Sequence, residues 1–283
     1  MTSLFGTRSR SVKHGGAAER RGARDPIERA LQAAAARYAG LHPRFRWYAR
    51  LKYRMDPCYR VIARHIGEGS FTVDLGTGLG MLPVLLGELG ERRQALGVEW
   101  DREKVRCGLH ASRGLPGVEI IEGDLHAFAL PACDVITLVD VLHYYEAHRQ
   151  EEILKQCRAA LRPGGRLLIR EGDGSRPGGA RFTRIVEMGA TRMGWNRGPA
   201  VRFRPIAELR SALVALGFRV HEDELAVRFF PGNVLLVAGA REHEVASQAQ
   251  AALPAPVIGI PSTCELDPTD DPTQGAQRLS LLE

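Results

Sequence analysis

The sequence predicts an α/β protein with a Rossmann-like, mostly parallel β-sheet and helices on both faces. From residue 71 onward, short apolar segments alternate with longer amphipathic ones, the pattern of strands joined by crossover helices. The first apolar segment runs into a glycine-rich turn, Gly76-Thr77-Gly78-Leu79-Gly80. Residues 218–224 and 233–238 are strand-like and have no helix between them, so they are expected to pair antiparallel.

Each element has its own signal. The strands are short and rich in Val, Ile and Leu, whereas the helices carry apolar residues three and four positions apart. The predicted strands of the alternating region are residues 71–74, 94–99, 118–122, 134–139 and 166–170. The predicted helices are residues 79–89, 102–112, 147–161 and 205–216. A turn over residues 162–165 precedes the fifth strand, because its Pro-Gly-Gly run breaks regular structure.

Four segments lie outside this alternation. Residues 1–25 are predicted to be disordered because they are rich in Ser, Arg and Gly and show no apolar periodicity, and residues 241–283 because they are rich in Pro, Ala, Thr, Gln and Asp. Residues 26–66 are predicted as an N-terminal helical segment. Residues 172–204 interrupt the domain at residues 67–240 after its fifth strand, at the sheet edge where ligands bind in open α/β folds. This interruption is interpreted as a lid or acceptor-recognition insertion, or else as a plain surface excursion.

Composition limits the functional classes. The 283 residues, 44% of them hydrophobic, suffice for one large domain with tails. No apolar run reaches the ~18 residues of a membrane span. The five cysteines are scattered, so a disulfide framework and a zinc site are not expected, and a reducing cytoplasm is the expected location. Residues 1–64 hold 15 Lys and Arg against 4 acids, so the net charge of +6 originates in an N-terminal basic arm.

The glycine turn is the most informative motif. Its spacing is G-x-G-x-G, not the G-x-G-x-x-G of dinucleotide folds. Asp74 places a carboxylate at the mouth of the turn, which would repel a pyrophosphate but suits a cation such as an α-amine. Acidic residues follow two later strands at Glu99 and Asp124, and Val139–Tyr145 follows the fourth. With these motifs in this order, residues 71–240 resemble the class I S-adenosylmethionine (SAM) dependent methyltransferases.

The resemblance implies a seven-stranded sheet with the last strand antiparallel, and SAM as cofactor. It also implies that three glycines lie beneath the methionine part of SAM, that acidic residues meet its ammonium group, ribose hydroxyls and adenine amino group, and that Trp100 covers adenine. The expected cofactor-binding residues are Asp74, Gly76, Gly78, Gly80, Glu99, Trp100, Asp124, Leu125 and Asp140.

Three residues near the predicted crevice are candidates for catalysis. His143 follows the fourth strand and is the best candidate base, because imidazole accepts a proton near neutral pH. Glu171 ends the fifth strand and is a second candidate base or acceptor ligand, and Tyr144 is expected to shape the pocket. A purely structural role is open for each of them. No metal site is expected, since no His/Asp cluster has ligand spacing.

These features favour methyl transfer to oxygen or carbon of a small molecule. Residues 50–57 and 231–237 resemble methyltransferases of bacterial aryl-polyene pigment pathways, which implies an aryl or polyketide-like acceptor held on an acyl carrier protein. The chain lacks the Asn/Asp-Pro-Pro-Tyr/Phe motif of enzymes that methylate base amino groups, which counts against nucleic acid. Two alternatives stay open: an RNA methyltransferase that uses the basic arm and the aromatic, basic segment 44–54, and a SAM-binding module without activity. The oligomeric state is not predicted.

Overall fold

The computed structural model describes residues 25–125, 127–175, 202–224 and 233–240. The tails predicted to be disordered therefore lie outside the described residues, apart from Asp25, and so does most of the expected insertion, residues 176–201. The described residues belong to one compact unit of the chain.

The β-strands form one seven-stranded sheet. Their bounds are β1 Phe71–Leu75, β2 Gln94–Glu99, β3 Val118–Glu122, β4 Cys133–Val139, β5 Leu161–Gly172, β6 Phe218–Glu224 and β7 Asn233–Ala240. The strand order is β3-β2-β1-β4-β5-β7-β6. Strands β1 to β5 run parallel to one another, and β7 is antiparallel to both β5 and β6. The predicted sheet, with its last strand antiparallel, is confirmed.

Helices cover both faces of the sheet, also as predicted. Their bounds are α1 Pro26–Ala36, α2 Pro43–Met55, α3 Cys58–His65, α4 Met81–Glu88, α5 Arg102–Ser112, α6 Ala147–Ala160 and α7 Ile206–Ala215. One apolar core joins α1 to α5 to the sheet, and a second core joins α6 and α7 to the opposite face. Alternate residues of a strand serve the two cores: in β5, Leu168 belongs to the first, whereas Leu167 and Ile169 belong to the second.

Strand β5 is longer than the sequence predicts. The residues expected to form a separate turn, 162–165, are included in the strand, and the pairing of β4 with β5 shifts register between Cys133 and Val135. The shift accommodates extra residues of β5 opposite Asp134, whose carboxylate is held by Arg162 at 3.0 and 3.1 Å. The Pro-Gly-Gly run thus disrupts regular strand pairing, but it does so as an irregularity within a continuous strand.

The N-terminal helices pack directly against the start of α4. The hydroxyl of Tyr38 donates to the carbonyl of Leu79 at 3.0 Å, and that of Tyr53 donates to the carbonyl of Met81 at 2.6 Å. Both tyrosines are buried. Helix α2 buries Phe45, Ala49 and Tyr53 against the core, so the segment 44–54 forms an amphipathic helix that packs on the α/β domain. The N-terminal helices therefore support the end of the glycine turn and the start of α4.

Candidate active site

The predicted site residues gather at one edge of the sheet. Strands β1 to β5 are parallel, so their carboxyl ends meet at the same edge. The glycine turn follows β1, Glu99 ends β2, Asp124 follows β3, Asp140 follows β4 and Glu171 lies at the end of β5. Five positions that are far apart in the sequence therefore lie at the same edge of the sheet.

Asp74 is held by two threonine hydroxyls. Thr77 donates to its Oδ2 at 2.6 Å and Thr137 donates to its Oδ1 at 2.5 Å. Asp74 and Thr137 are paired in the β1–β4 register, so their side chains share a face of the sheet. Burial raises the pKa of Asp74 to about 6, although both hydroxyls oppose the shift. The carboxylate expected to meet an ammonium group thus also anchors the turn at Thr77.

The three positions of the turn require glycine for different physical reasons. All have positive φ, between 59° and 73°, which disfavours any residue with a Cβ. A Cβ at Gly76 would lie 2.7 Å from Val141 Cγ2, and one at Gly80 would collide with Ile120 and the backbone of Gly108. A Cβ at Gly78 would meet nothing within 4 Å. Protein packing by itself therefore requires glycine at positions 76 and 80, whereas Gly78 has open space above it; the contact of the three glycines with a ligand stays a prediction.

Glu99 is buried at the end of β2 and faces the glycine turn. The backbone N–H of Gly78 donates to its Oε2 at 2.8 Å, and that of Asp101 donates to its Oε1 at 3.1 Å. Each oxygen accepts one bond here, and a carboxylate can accept about four, so it retains capacity for ligand hydroxyls. Asp101 is the N-cap of α5, as its sequence position favours.

The expected adenine side is formed by the loops after β2 and β3. The indole of Trp100 is 51% exposed, which leaves it accessible at the crevice edge. The carbonyl of Asp124 accepts the backbone N–H groups of Ala127 and Phe128, so the carboxylate lies on a turn. The side chain of Leu125 is buried in the second core, which leaves its backbone for contact with a cofactor. Burial, followed by the charges of Asp124 and Glu99, raises the pKa of Tyr145 to about 12.

His143 and Glu171 form a buried pair. Nδ1 of His143 lies 2.7 Å from Oε2 of Glu171. The other oxygen of Glu171 accepts the backbone N–H groups of Val141 at 3.1 Å and Leu142 at 2.7 Å. His143 lies in a short 3₁₀ turn, Leu142–Tyr144, and its ring contacts those of Tyr144 and Phe203 at centroid distances of 4.3 and 4.8 Å. Glu171 therefore positions the histidine and its turn together.

Asp140, expected to contact the cofactor, lies in a cluster of charges. Its carboxylate pairs with Arg170, and Nζ of Lys52 lies 3.6 Å from its Oδ2. Asp56 joins the same two cations. Two members of this charged cluster, Lys52 and Asp56, belong to the N-terminal helical segment.

Comparisons with known proteins agree with this geometry. A family model described as an O-methyltransferase domain matches residues 106–208. Over 103 residues the chain is 38% identical to acetylserotonin O-methyltransferase of Mus musculus, which covers 36% of this chain and 26% of that enzyme. Over 111 residues it is 37% identical to ribosomal protein L11 methyltransferase of Thermus thermophilus, which covers 39% and 41%. A solved O-methyltransferase family protein from Burkholderia thailandensis has a TM-score of 0.55 at 21% identity, covering 77% of this chain and 72% of that chain.

The chain has the fold of a solved O-methyltransferase family protein, and its sequence matches to methyltransferases each cover less than half of it. It matches only about a quarter to two fifths of the length of these two curated relatives. The residues present at this sheet edge fit SAM, because a buried carboxylate faces a glycine with open space above it. Among the described residues, no group of three or more His, Cys, Asp and Glu side chains could hold a metal ion. No helix in the described ranges is long and apolar enough to cross a membrane.

Sequence reasoning missed several residues of the candidate site. Arg170 directly follows the apolar run Leu167-Leu168-Ile169. A charged residue at that point of a buried strand could have indicated a buried ion pair. Thr137 is likewise polar within the apolar run of β4. Gln150, which donates from its side chain to the carbonyls of Leu142 and Tyr145 at 3.0 Å, carries no such signal, because polar residues are common on helices. Lys52 and Asp56 were missed because they lie far from the motifs in sequence.

Proposed function

We propose that this methyltransferase transfers the methyl group of SAM to a hydroxyl oxygen of a small aromatic acceptor. The observation that carries the proposal is the buried His143–Glu171 pair at the same sheet edge as the glycine turn and Glu99. The match to an O-methyltransferase domain model spans both residues of the pair, which supports oxygen rather than carbon as the acceptor atom.

Four acidic or glycine positions are proposed to hold the cofactor. Glu99 would accept the ribose hydroxyls, since its carboxylate is buried and fixed by two backbone N–H groups. Gly78 would lie beneath the methionine part, where its open side leaves room. Asp74 would meet the ammonium group, and Asp124 and Trp100 would contact adenine. Asp140 is given a different role below.

His143 is proposed as the general base. Its Nδ1–H donates to Glu171, an assignment that follows from the acceptor character of the carboxylate and leaves Nε2 with a lone pair. When bound, SAM supplies a methyl group activated by the positively charged sulfur. As the acceptor oxygen bonds to the methyl carbon, the carbon–sulfur bond would break and its electron pair would leave with S-adenosylhomocysteine. Nε2 of His143 would take the hydroxyl proton. The Glu171 carboxylate would stabilise the resulting imidazolium, and such general-base assistance is commonly worth about 10²–10⁴-fold in rate.

The surroundings of His143 support an aromatic acceptor. The rings of Tyr144 and Phe203 both contact the imidazole, and Phe203 belongs to the segment 172–204 that was interpreted as an acceptor-recognition insertion. Aromatic side chains bind flat rings through offset or edge contacts. An aryl hydroxyl presented between these rings would place its oxygen next to the imidazole.

Calorimetry and isotope transfer test this function. Wild type is titrated with SAM and S-adenosylhomocysteine, and transfer of a labelled methyl group to a panel of phenols, aryl acids and thiols is then measured. Phenol methylation by wild type, with His143→Gln binding SAM within about 3-fold but transferring about 10²–10⁴-fold more slowly, supports the proposal. Equal rates in wild type and His143→Gln would rule out the base. SAM binding with no transfer to any acceptor would favour the non-catalytic module.

The exposed face of α2 is proposed as the contact for an acidic acyl carrier protein that presents the acceptor. Arg46, Arg50 and Arg54 follow one another at one-turn spacing and are exposed, and Trp47 beside them is 64% exposed. Carboxylates on a carrier would complement these charges and raise the association rate. Charge reversal at Arg50→Glu should slow transfer to a carrier-bound acceptor but not to the free acceptor, whereas Arg219→Glu on β6 serves as the matched control. Equal slowing with both acceptors would contradict carrier docking.

A further inference from the structure

Four charged side chains meet between the N-terminal helices and the crevice. Lys52 lies on α2, Asp56 follows that helix, Asp140 follows β4 and Arg170 lies in β5. Nζ of Lys52 is 3.1 Å from Asp56 Oδ2 and 3.6 Å from Asp140 Oδ2, and Arg170 pairs with both carboxylates. Arg170 and Asp56 are each only 3% exposed. Two cations and two anions balance, which is the condition for keeping such groups away from water.

The ionised state of the cluster follows from its own charges. Burial alone would raise the pKa of Asp56, but the positive charges of Arg170 and Lys52 outweigh burial and hold that pKa below its usual value. The backbone N–H of Cys58 adds a bond of 3.0 Å to the other oxygen of Asp56. The cluster therefore has a fixed connection to the start of α3 as well as to α2.

Asp140 has an unusual backbone conformation. Its φ is +59°, and within the described ranges it is the one residue other than glycine with a positive φ. Side chains disfavour this left-handed region, so a residue stays in it only where its surroundings hold it there. Its backbone N–H donates to the carbonyl of Arg170 at 3.0 Å, while its carboxylate pairs with the guanidinium of the same residue. Arg170 thus holds Asp140 by main chain and side chain.

The conformation of Asp140 sets the direction of the residues that follow it. Val141 packs so closely on Gly76 that no Cβ fits there. Val141 and Leu142 donate to Glu171, and His143 comes next. Two consecutive residues of β5 therefore anchor the turn over residues 140–143. Arg170 holds its first residue, and Glu171 holds the next three.

We infer that Lys52, Asp56, Arg170 and Asp140 are positioning residues for the base: together they hold Asp140 in its left-handed conformation and so orient His143. The N-terminal helical segment is then a working part of the catalytic site. The inference rests on the proposed role of His143, and it replaces the expected contact of the Asp140 side chain with SAM.

Two variants test the inference without removing the buried arginine. Lys52→Met deletes the most accessible cation of the cluster, whose side chain is 20% exposed, so that the variant is expected to fold. Asp140→Ala removes the carboxylate and disfavours positive φ, whereas Asp140→Asn keeps an acceptor oxygen and is the side chain that best tolerates this conformation. Lys155→Met, an exposed lysine on α6, is the matched control.

The expected result separates turnover from cofactor binding. Lys52→Met and Asp140→Ala should lower kcat roughly 10-fold to 100-fold, as small misplacements of a catalytic group do, with the Kd for SAM unchanged within about 3-fold. Asp140→Asn should retain most of kcat, and Lys155→Met should match wild type. Unchanged kcat in folded Lys52→Met and Asp140→Ala would overturn the inference, and so would a loss of SAM affinity that accounts for the whole effect.

A spectroscopic measurement keeps this test independent of turnover. The ring nitrogen and proton resonances of His143 are recorded by NMR in wild type and variants, with His143→Gln for assignment. Altered His143 resonances in Lys52→Met and Asp140→Ala, but not in Lys155→Met, support the inference even if no acceptor is methylated and the proposed function fails. Identical His143 resonances in all folded variants would overturn it.

Discussion

Oε2 of Glu171 lies 2.7 Å from Nδ1 of His143, while Oε1 of the same carboxylate accepts two backbone N–H groups of the turn that carries His143. Glu171 therefore fixes both the tautomer of the imidazole and the position of its main chain. A residue that does both should matter for turnover more than for folding, provided that its shape is kept.

Replacing Glu171 by Gln should preserve the shape and change the tautomer. The amide NH₂ would donate to Nδ1 of His143, which would move the imidazole proton to Nε2 and remove the basic lone pair. We expect kcat to fall about 10²–10⁴-fold, with the Kd for SAM unchanged. Steady-state kinetics and calorimetry measure both quantities, and Glu119→Gln, at an exposed position of β3, is the control. Full activity in Glu171→Gln would exclude His143 as the base.

Replacing Glu99 by Ala should act on the cofactor instead. The change removes the acceptor for Gly78 N–H and the proposed acceptor for two ribose hydroxyls, and charged hydrogen bonds of this kind are worth about 1.5–3 kcal/mol each. The Kd for SAM should rise at least about 10-fold in calorimetry, and Glu99→Gln should show a smaller rise. Equal affinity in Glu99→Ala and wild type would remove Glu99 from the cofactor site.

The affinity for SAM should depend on pH through Asp74. Burial raises the pKa of this carboxyl to about 6, so the group is partly protonated in weakly acidic buffer. A bound ammonium group favours the ionised carboxylate, so SAM should bind more tightly as pH rises through 6 and about tenfold more weakly for each pH unit below it. The pH dependence should flatten in Asp74→Asn. A flat profile in wild type would show that Asp74 anchors the turn without meeting the ammonium group.

The raised pKa of Asp74 should make the folded protein more stable at low pH, whereas it makes SAM binding weaker there. The folded state binds the Asp74 proton more readily than the unfolded state, so the contribution of this group to the free energy of unfolding increases as pH falls from about 6 toward 4. Urea unfolding of wild type and Asp74→Asn across this range would measure the difference. Parallel stability curves for the two proteins would contradict the raised pKa.

Alanine substitutions at Gly78 and Gly80 should distinguish an effect on folding stability from an effect on ligand binding. Gly78→Ala adds a methyl group in open space at a φ of +59°, which costs about 1–2 kcal/mol of backbone strain but no collision. Gly80→Ala adds similar strain and forces its Cβ to 3.1 Å from the backbone of Gly108. Thermal unfolding should therefore show a much lower Tm for Gly80→Ala than for Gly78→Ala. Calorimetry should show at least about a 10-fold weaker SAM affinity in Gly78→Ala, and unchanged affinity would place the cofactor elsewhere.

The fold was largely predictable because it depends on local patterns. Apolar runs such as Val135–Leu138 identify strands, and Asp101 and Asp25 identify helix starts, within a few neighbouring residues. The edge position of Glu99, Asp124 and Glu171 then follows, since parallel strands share one carboxyl edge. The position of His143 in the crevice was predictable for the same reason.

The contacts between distant segments were not predictable in the same way. Asp56 and Arg170 meet across 114 positions of sequence, and nothing in the local pattern of either residue names the other. The positive φ of Asp140, a residue that bonds to Arg170 through both its backbone and its side chain, could not be predicted from the local sequence either. The separate reasons for Gly76, Gly78 and Gly80 likewise became visible only once Val141 and Ile120 were in place.

The position of β7 has a consequence for synthesis of the protein. Glu171 is paired with Val234 in the β5–β7 register, so the strand that carries the partner of His143 acquires its outer neighbour from a segment that is translated more than 60 residues later. A nascent or prematurely terminated chain that stops before residue 233 would leave an open, apolar strand edge at this point. The edge of β5 beside Glu171 is therefore covered only when translation has passed β7.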